Sequence, residues 1–414
     1  RYCTRVMNPT LVTRRSFILT LGLLTAMAAL TIDMSLPAIP DMVRSLATDL
    51  PKGQLIVGAF MLGMACGQIP AGLFSDRLGR LPVLYAGMSL FAVAATVAAI
   101  AQSIDVMLAA RFVQGFGGAS AVVLSRAIVR DISSGKDAAK LMSLMTMIFT
   151  VAPVVAPTIG ALLVAQWGWR APFAAIAGGG MLMLIGIRSN LLETRTPDAE
   201  GHPLRQLQRS FAEFFSHRQS IFGLLLIVVP PAGFMSVIAV SAALAVEIYG
   251  FSVQAYGLIF ACAGLSILAG SIINRLLVPR VELVPLIGIG IALMAIASAQ
   301  LLLAAWMNTA PFAWVWACIC LFFFAVPIVL SNAMVLALDP LPRIAGVASS
   351  IIGTIQNVIG ASGAILGASI YDGTLRNAVL IIGGAGFVML TIFLLRPLIC
   401  GGPIVHHPEE LARD

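Results

Sequence analysis

Two charged residues in long apolar runs are the best placed in this chain to do chemistry. Asp33 stands in "AALTIDMSLPAIP" (Ala28 to Pro40), and Arg111 opens "RFVQGFGGA" (Arg111 to Ala119). Of 18 acidic residues, only Asp33 lies well inside such a run; Asp105 and Glu247 fall at run ends, where water is available. Arg111 is the one basic residue so placed. A charge at the centre of a bilayer costs about 2.5–3.5 kcal/mol even on lenient insertion scales, so it usually faces a cavity and serves function. Burial and a neighbouring cation push the proton occupancy of a carboxylate in opposite directions. The chemistry expected is therefore proton uptake and release at Asp33, biased by Arg111. The alternative is a fixed ion pair that joins two helices.

The elements that must position this pair are membrane helices. Of the 414 residues, 59% are hydrophobic and 10% charged, against about 25% charged in soluble domains. Twelve runs have the length needed to cross a ~30 Å hydrocarbon core, at about 16–39, 54–74, 82–101, 105–128, 141–165, 171–192, 220–245, 254–274, 283–306, 312–338, 346–370 and 377–396. With the N-terminus placed inside, four of the 25 Lys and Arg residues (Arg44, Lys52, Arg170, Arg376) fall outside, Arg111 lies within a span, and the other 20 face inward. That asymmetry orients the chain with both termini cytoplasmic, in an inner membrane. It also explains the net charge of +7 without nucleic acid. At 1.5 Å per residue, Asp33 lies roughly 25 Å along the outward first span and Arg111 roughly 9 Å along the inward fourth span, at nearly one level.

The expected fold class is an all-α polytopic membrane protein of two six-helix bundles. The expected organisation is a cytoplasmic tail (1–15), a bundle (16–192), a cytoplasmic linker (193–219), a second bundle (220–396) and a cytoplasmic tail (397–414). In the linker, Leu204, Leu207, Phe211 and Phe214 recur at helical spacing beside Arg205 and Arg209, which predicts an amphipathic helix on the membrane surface. The halves echo each other: Gly72-Leu-Phe-Ser-Asp76-Arg77 follows span 2 and Gly270-Ser-Ile-Ile-Asn274-Arg275 follows span 8. Paired repeats of this kind mark transporters. The first apolar run is too long for a cleaved signal peptide. The chain opens "RYCTRVM", leaving Met7 or an upstream residue as the start.

"GLFSDRLGR" (Gly72 to Arg80) joins spans 2 and 3. Gly79 permits a tight turn, Arg77 and Arg80 anchor topology, and Asp76 needs a partner. A helix N-terminus, which carries roughly half a positive charge, would serve, and span 11 begins on that side. The expected gate comprises Gly72, Asp76, Arg77, Gly79 and Arg80, with Arg130 beside it. In "APVVAPTIG" (Ala152 to Gly160), Pro153 and Pro157 bend span 5, while Ala152, Ala156 and Gly160 make a small-residue face for close packing. Gly63 and Gly67 in span 2, and Gly360, Ala364 and Ala368 in span 11, suggest two smooth faces able to slide at the bundle interface.

These stretches carry a family resemblance. The loop resembles the signature G-x-L-x-D-R-x-G-R-[KR] of the major facilitator superfamily, with Phe74 and Leu81 as departures. "RFVQGFGGA" is similar to that superfamily's fourth-helix motif. "APVVAPTIG" is similar to the fifth-helix motif of its proton-exchanging exporters, with Ala156 and Ala161 in place of glycines. "IDMSLPAIP" and "LSNAMVLALDPLPRIAGVASSI" (Leu330 to Ile351) resemble the bicyclomycin- and chloramphenicol-resistance branch of drug:proton antiporters. The resemblance implies Asp33 and Arg111 as the coupling pair, and a monomer exchanging protons for small amphipathic, drug-like compounds across the lipid bilayer.

Gln114, Asn332, Gln356 and Asn357 are polar at span depth, each a candidate for cavity lining or helix packing. Met142, Met145, Met147 and Met235, with Phe234 and Phe260, would suit a pliable apolar pocket. Rival readings are a proton-coupled metabolite exporter or importer on the same fold, and a membrane-embedded enzyme. The four histidines (His202, His217, His406, His407) lie in cytoplasmic segments and the six cysteines lack metal-ligand spacing, so neither a metal site nor a His-based triad is expected. No phosphate-binding loop is present, and no cofactor is expected.

Overall fold

The computed structural model describes residues 15–132, 135–194, 203–307, 310–341 and 344–400. The terminal tails beyond those limits, part of the expected linker, and the side chains of Arg130, Met142, Met147 and Pro153 lie outside the described residues. Among the described residues there is no strand. The helices are α1 (Arg15–Ser35), α2 (Ile39–Ser45), α3 (Leu50–Leu78), α4 (Arg80–Ala99), α5 (Ile104–Ile132), α6 (Gly135–Trp167), α7 (Arg170–Asn190), α8 (Pro203–Ser216), α9 (Arg218–Ala243), α10 (Val253–Leu277), α11 (Leu283–Met307), α12 (Phe312–Leu338), α13 (Ala345–Ile370), α14 (Leu375–Leu394) and α15 (Arg396–Cys400). Eleven of the described helices are long and apolar enough to cross a membrane. The expected fifth span corresponds to α6, a helix of 33 residues whose described apolar part is Val154–Trp167.

Local signals set the helix ends. The Asp49 side chain accepts from the Lys52 backbone N–H at 3.0 Å and starts α3; Thr374 caps α14 in the same way. Gly79 ends α3 with φ of +94°, a conformation that disfavours any Cβ. The first span departs from expectation. Its α-helix ends at Ser35, turns through a 3₁₀ segment (Leu36–Ala38), and resumes as α2. Pro37 and Pro40 explain the break, since each lacks an N–H and its ring clashes with the preceding turn. The continuation is covered: Leu36, Pro37, Ala38, Ile39, Pro40, Met42 and Val43 are all buried.

The chain divides into two compact units, residues 1–201 with 250–264, and residues 202–249 with 265–414. In the first, α3 packs on α5, α4 on α5 and α7, and α1 on α6. In the second, α9 packs on α12, α13 and α14, and α11 on α12 and α14. Glycines set the closest approaches. A Cβ on Gly63 would strike the Phe112 carbonyl, one on Gly67 the Phe116 carbonyl, and one on Gly115 the Phe60 carbonyl. The Gly63–Gly67 face is therefore committed to α5 inside its own unit, which corrects the expectation that it slides at an interface. In the second unit, Gly363 and Gly367 of α13 abut Ala232 and Ser236 of α9.

The linker contains the expected helix, α8, which packs on α9 and α13, with Phe214 fully buried and Phe215 45% exposed.

Gly115→Val tests the α3–α5 contact. Its side chain has no space against the Phe60 carbonyl, and overpacking of this kind costs about 1–3 kcal/mol or more. The expected result is a clear fall in melting temperature of the detergent-purified protein and low expression. An unchanged melt would mean that the two helices separate at no cost.

Candidate proton-coupling site

Asp33 sits two residues before the end of α1, at 4% exposure. Among the described residues no hydrogen bond or ion pair reaches its carboxylate. Arg111 on α5 is fully buried, yet it does not neutralise Asp33. Its Nη1 donates to Gln114 Oε1 at 3.0 Å, its Nη2 to Ser35 Oγ at 3.4 Å, and its Nε to the Ile56 carbonyl at 3.4 Å. The guanidinium also lies over the Phe60 ring at 4.7 Å and nearer the edge of contact with Phe173 at 5.9 Å, a cation–π arrangement. The level inferred from helix rise places Arg111 beside Asp33, and the structure brings it to Ser35, two residues further along α1. A fixed ion pair is not what holds α1 to α5.

Other features lie on the same helices. The Gln114 Nε2 is buried with no partner among the described residues, as is the Thr31 hydroxyl. Gly160 of α6 abuts the backbone of Met34, the residue after Asp33. The small-residue face of α6 thus presses on α1 at the candidate site. Ala156 and Pro157 are buried on the same helix, and Thr158 Oγ1 donates to the Gly257 carbonyl of α10 at 3.3 Å.

The loop between α3 and α4 is organised by Arg80, at 4% exposure. Its Nη1 donates to Ser75 Oγ at 2.7 Å and Asp76 Oδ1 at 2.8 Å, and its Nε to Asp131 Oδ2 at 2.8 Å. Glu193, beyond α7, caps α4: its carboxylate accepts from the backbone N–H of Arg80 at 2.8 Å and of Leu81 at 2.9 Å. Thr194 Oγ1 donates to Asp131. Asp131 and Glu193 were absent from the sequence-derived gate, which named Arg130 instead. Gly79 is pinned for two reasons, its φ and the Glu193 carboxylate 2.7 Å from where a Cβ would stand. Arg77 is not part of the network and lies near the helix end. Gly72 has open space beside it, with Val123 the nearest side chain at 3.9 Å.

The sequence profile of the Major Facilitator Superfamily matches residues 21–364. The chain belongs to that superfamily. It is 31% identical over 348 residues to a bicyclomycin resistance protein homolog of Haemophilus influenzae, covering 83% of this chain and 87% of that one. It is 28% identical to multidrug resistance protein D of Escherichia coli, covering 83% and 86%. Among solved structures, a D-xylose-proton symporter superposes with a TM-score of 0.72 at 18% identity, covering 91% of this chain and 97% of that one. A peptide transporter in complex with sulfate gives 0.72 at 14%, covering 93% and 95%. Those two similarities speak to the fold.

Within this major facilitator fold the remaining candidate cavity residues separate. Asn332 is buried and its Nδ2 donates to Asn274 Oδ1 and to the Ile328 carbonyl, both at 2.7 Å. Its amide donors are engaged on Asn274 of α10 and on its own helix. Asn274 occupies the repeat position of Asp76, so the second unit keeps the loop site as an amide pair where the first uses ions. Asn357 Nδ2 donates to the Gly353 carbonyl of its own helix. Gln356 and Met235 are half-buried. Phe234 meets Phe323 edge-on at 5.9 Å, and Phe260 is buried beside Tyr256.

Proposed function

We propose that this major facilitator protein exports small amphipathic, drug-like compounds in exchange for protons by alternating access, with Asp33 carrying the proton. One observation carries the reading: a buried carboxylate with no partner among the described residues, on the helix whose Ser35 takes a donor of the buried Arg111. An anion so placed is costly, so its charge state responds to whatever enters next to it. A proton and an organic ligand can then exclude each other at one position. The named relatives in drug resistance support the substrate class. Arg111 holds α1, α3 and α5 together through Ser35, Ile56 and Gln114 and leaves the carboxylate unlocked.

In this reading the protein is a monomer of an inner membrane with both termini cytoplasmic, and the Arg80 network belongs to the cytoplasmic gate. No cofactor takes part. The test uses inside-out vesicles energised with an acid interior. Uptake of a fluorescent amphipathic dye that collapses with a protonophore supports export by exchange. Dye movement in the opposite direction, following the protons, would make the protein an importer.

A further inference from the structure

The contact between α1 and α5 holds two buried polar atoms that no bond described above accounts for. Helix α1 carries three buried threonines. Two of them bond their own helix: Thr20 Oγ1 donates to the Ser16 carbonyl at 2.8 Å, and Thr25 Oγ1 to the Leu21 carbonyl at 2.9 Å. That is a usual place for a hydroxyl inside a helix. Thr31 departs from it. It is fully buried, and its hydroxyl has no partner among the described residues. On α5, Gln114 is fully buried as well. Its Oε1 is fixed on Arg111 Nη1 at 3.0 Å, which sets the direction of Nε2, and that donor also has no partner among the described residues.

Neighbouring contacts put these two atoms at one level. Helix α7 runs opposite to α1, since Gly186 lies by Thr20 and Gly179 by Met27. Helix α4 runs opposite to α7, with the Ala101 carbonyl taking Arg170 Nη2 and Phe91 lying against Gly180. Helix α5 runs opposite to α4, with Ser120 against Gly87 and Gly117 against Phe91. So α1 and α5 are antiparallel. Arg111 Nη2 meets Ser35 Oγ at 3.4 Å, and Met27 shares a level with Gly117 through Gly179, Gly180 and Phe91. Thr31 falls midway between Met27 and Ser35, and Gln114 midway between Gly117 and Arg111. Spacings of four and three residues keep Thr31 on the face of Ser35, and Gln114 on the face of Arg111. The two side chains face each other across α1 and α5, yet they do not bond each other.

We infer that one bound water molecule joins Thr31 Oγ1 to Gln114 Nε2, and that through it Thr31 of α1 orients Arg111 of α5. The water accepts from Nε2 and shares a second bond with the hydroxyl. The Gln114 amide is then held with its oxygen on the guanidinium, because rotation would turn an N–H donor onto a cation. A buried donor without an acceptor is costly, and water is the occupant such enclosed polar contacts take, trapped as helices pack. With both residues fully buried, no larger ligand reaches them. Thr31 is thus a positioning residue for Arg111, whichever way the protein transports.

The test is a structure of the full chain in nanodiscs at a resolution that shows ordered water. Wild type is expected to show a peak about 2.7–3.2 Å from both Thr31 Oγ1 and Gln114 Nε2. Thr31→Val keeps the side chain's shape and loses the hydroxyl. Its peak is expected to vanish and the Gln114 amide to leave Arg111 Nη1, while Thr31→Ser retains both. Thermal melts test the same bridge. Thr31→Val is expected to lower the melting temperature by about 2–4 °C, the loss of roughly one buried hydrogen bond. It should cost nothing further once Gln114→Leu has removed the other end. A direct Thr31–Gln114 hydrogen bond, or a dry contact filled by carbon, overturns the bridge. So does an equal cost of Thr31→Val with and without Gln114. Gln114 staying on Arg111 in Thr31→Val overturns the positioning role.

Discussion

Asp33→Asn is expected to abolish proton-driven transport while leaving the protein folded and no less stable. Asparagine keeps the size of the side chain and loses the exchangeable charge. Because no described group bonds to the Asp33 carboxylate, the change orphans nothing, and Arg111 keeps Ser35, Gln114 and Ile56. Removing a group that must transfer a proton costs about a hundredfold or more, so pH-gradient-driven dye flux should fall to background. Exchange of labelled for unlabelled dye, which needs no net proton movement, should persist. The melting temperature decides between this reading and a structural one. Breaking a buried ion pair would destabilise by about 3–5 kcal/mol, whereas removing an unpaired buried acid should leave the melt unchanged or raise it. Full gradient-driven transport by the variant would sink the proton-site assignment.

Arg80→Ala should be the most disruptive single change in the loop. It leaves Asp131, whose side chain is 19% exposed, without its bidentate partner, and it strips Asp76 and Ser75 of a shared donor. Asp76 is nearly half exposed and water replaces much of what it loses, so the loss is put at roughly 3 kcal/mol, the lower end for a broken buried pair. Arg80→Lys should rescue little, because an ammonium cannot bridge carboxylates on two helices as the planar fork does. The informative variant is Arg80→Met combined with Asp131→Asn, in which no charge is stranded. Its melt should return to within about 1 kcal/mol of wild type, since neutral replacement of both partners is often tolerated. If the network is the gate, transport stays lost even so. Recovery of both stability and transport would reduce the network to a fastening.

Much of this was readable from residue types and spacing, and the exceptions share a cause. The span at 312–338 is the helix Phe312–Leu338, because a long uncharged run admits few other structures in a bilayer. The level of Asp33 against Arg111 came from helix rise alone, a local quantity. Asp131 and Glu193 were missed because they meet Arg80 across 51 and 113 residues of chain, a distance over which no periodicity carries information. The role of Asn332 was left open for the same reason, since only packing reveals Asn274 opposite it. The first span was expected to run unbroken to about residue 39; its 3₁₀ turn at Leu36–Ala38 and its continuation to Ser45 depended on Leu36 to Val43 finding cover. The direction of the Gly63–Gly67 face depended likewise on which helix arrived beside it.

The abutment of Gly160 on Met34 has a mechanical meaning. Side chains between helices are compliant, since they can change rotamer and absorb a displacement. Here α6 bears on α1 backbone to backbone, one residue from Asp33, and on the other flank Pro157 and Ala161 bear on Gly257 of α10. Three helices thus meet through stiff main chain with little cushioning between them. A change of charge at Asp33 that rolls α1 by a fraction of an ångström is passed on at nearly full stroke, and these glycines make the contact a bearing rather than a spring.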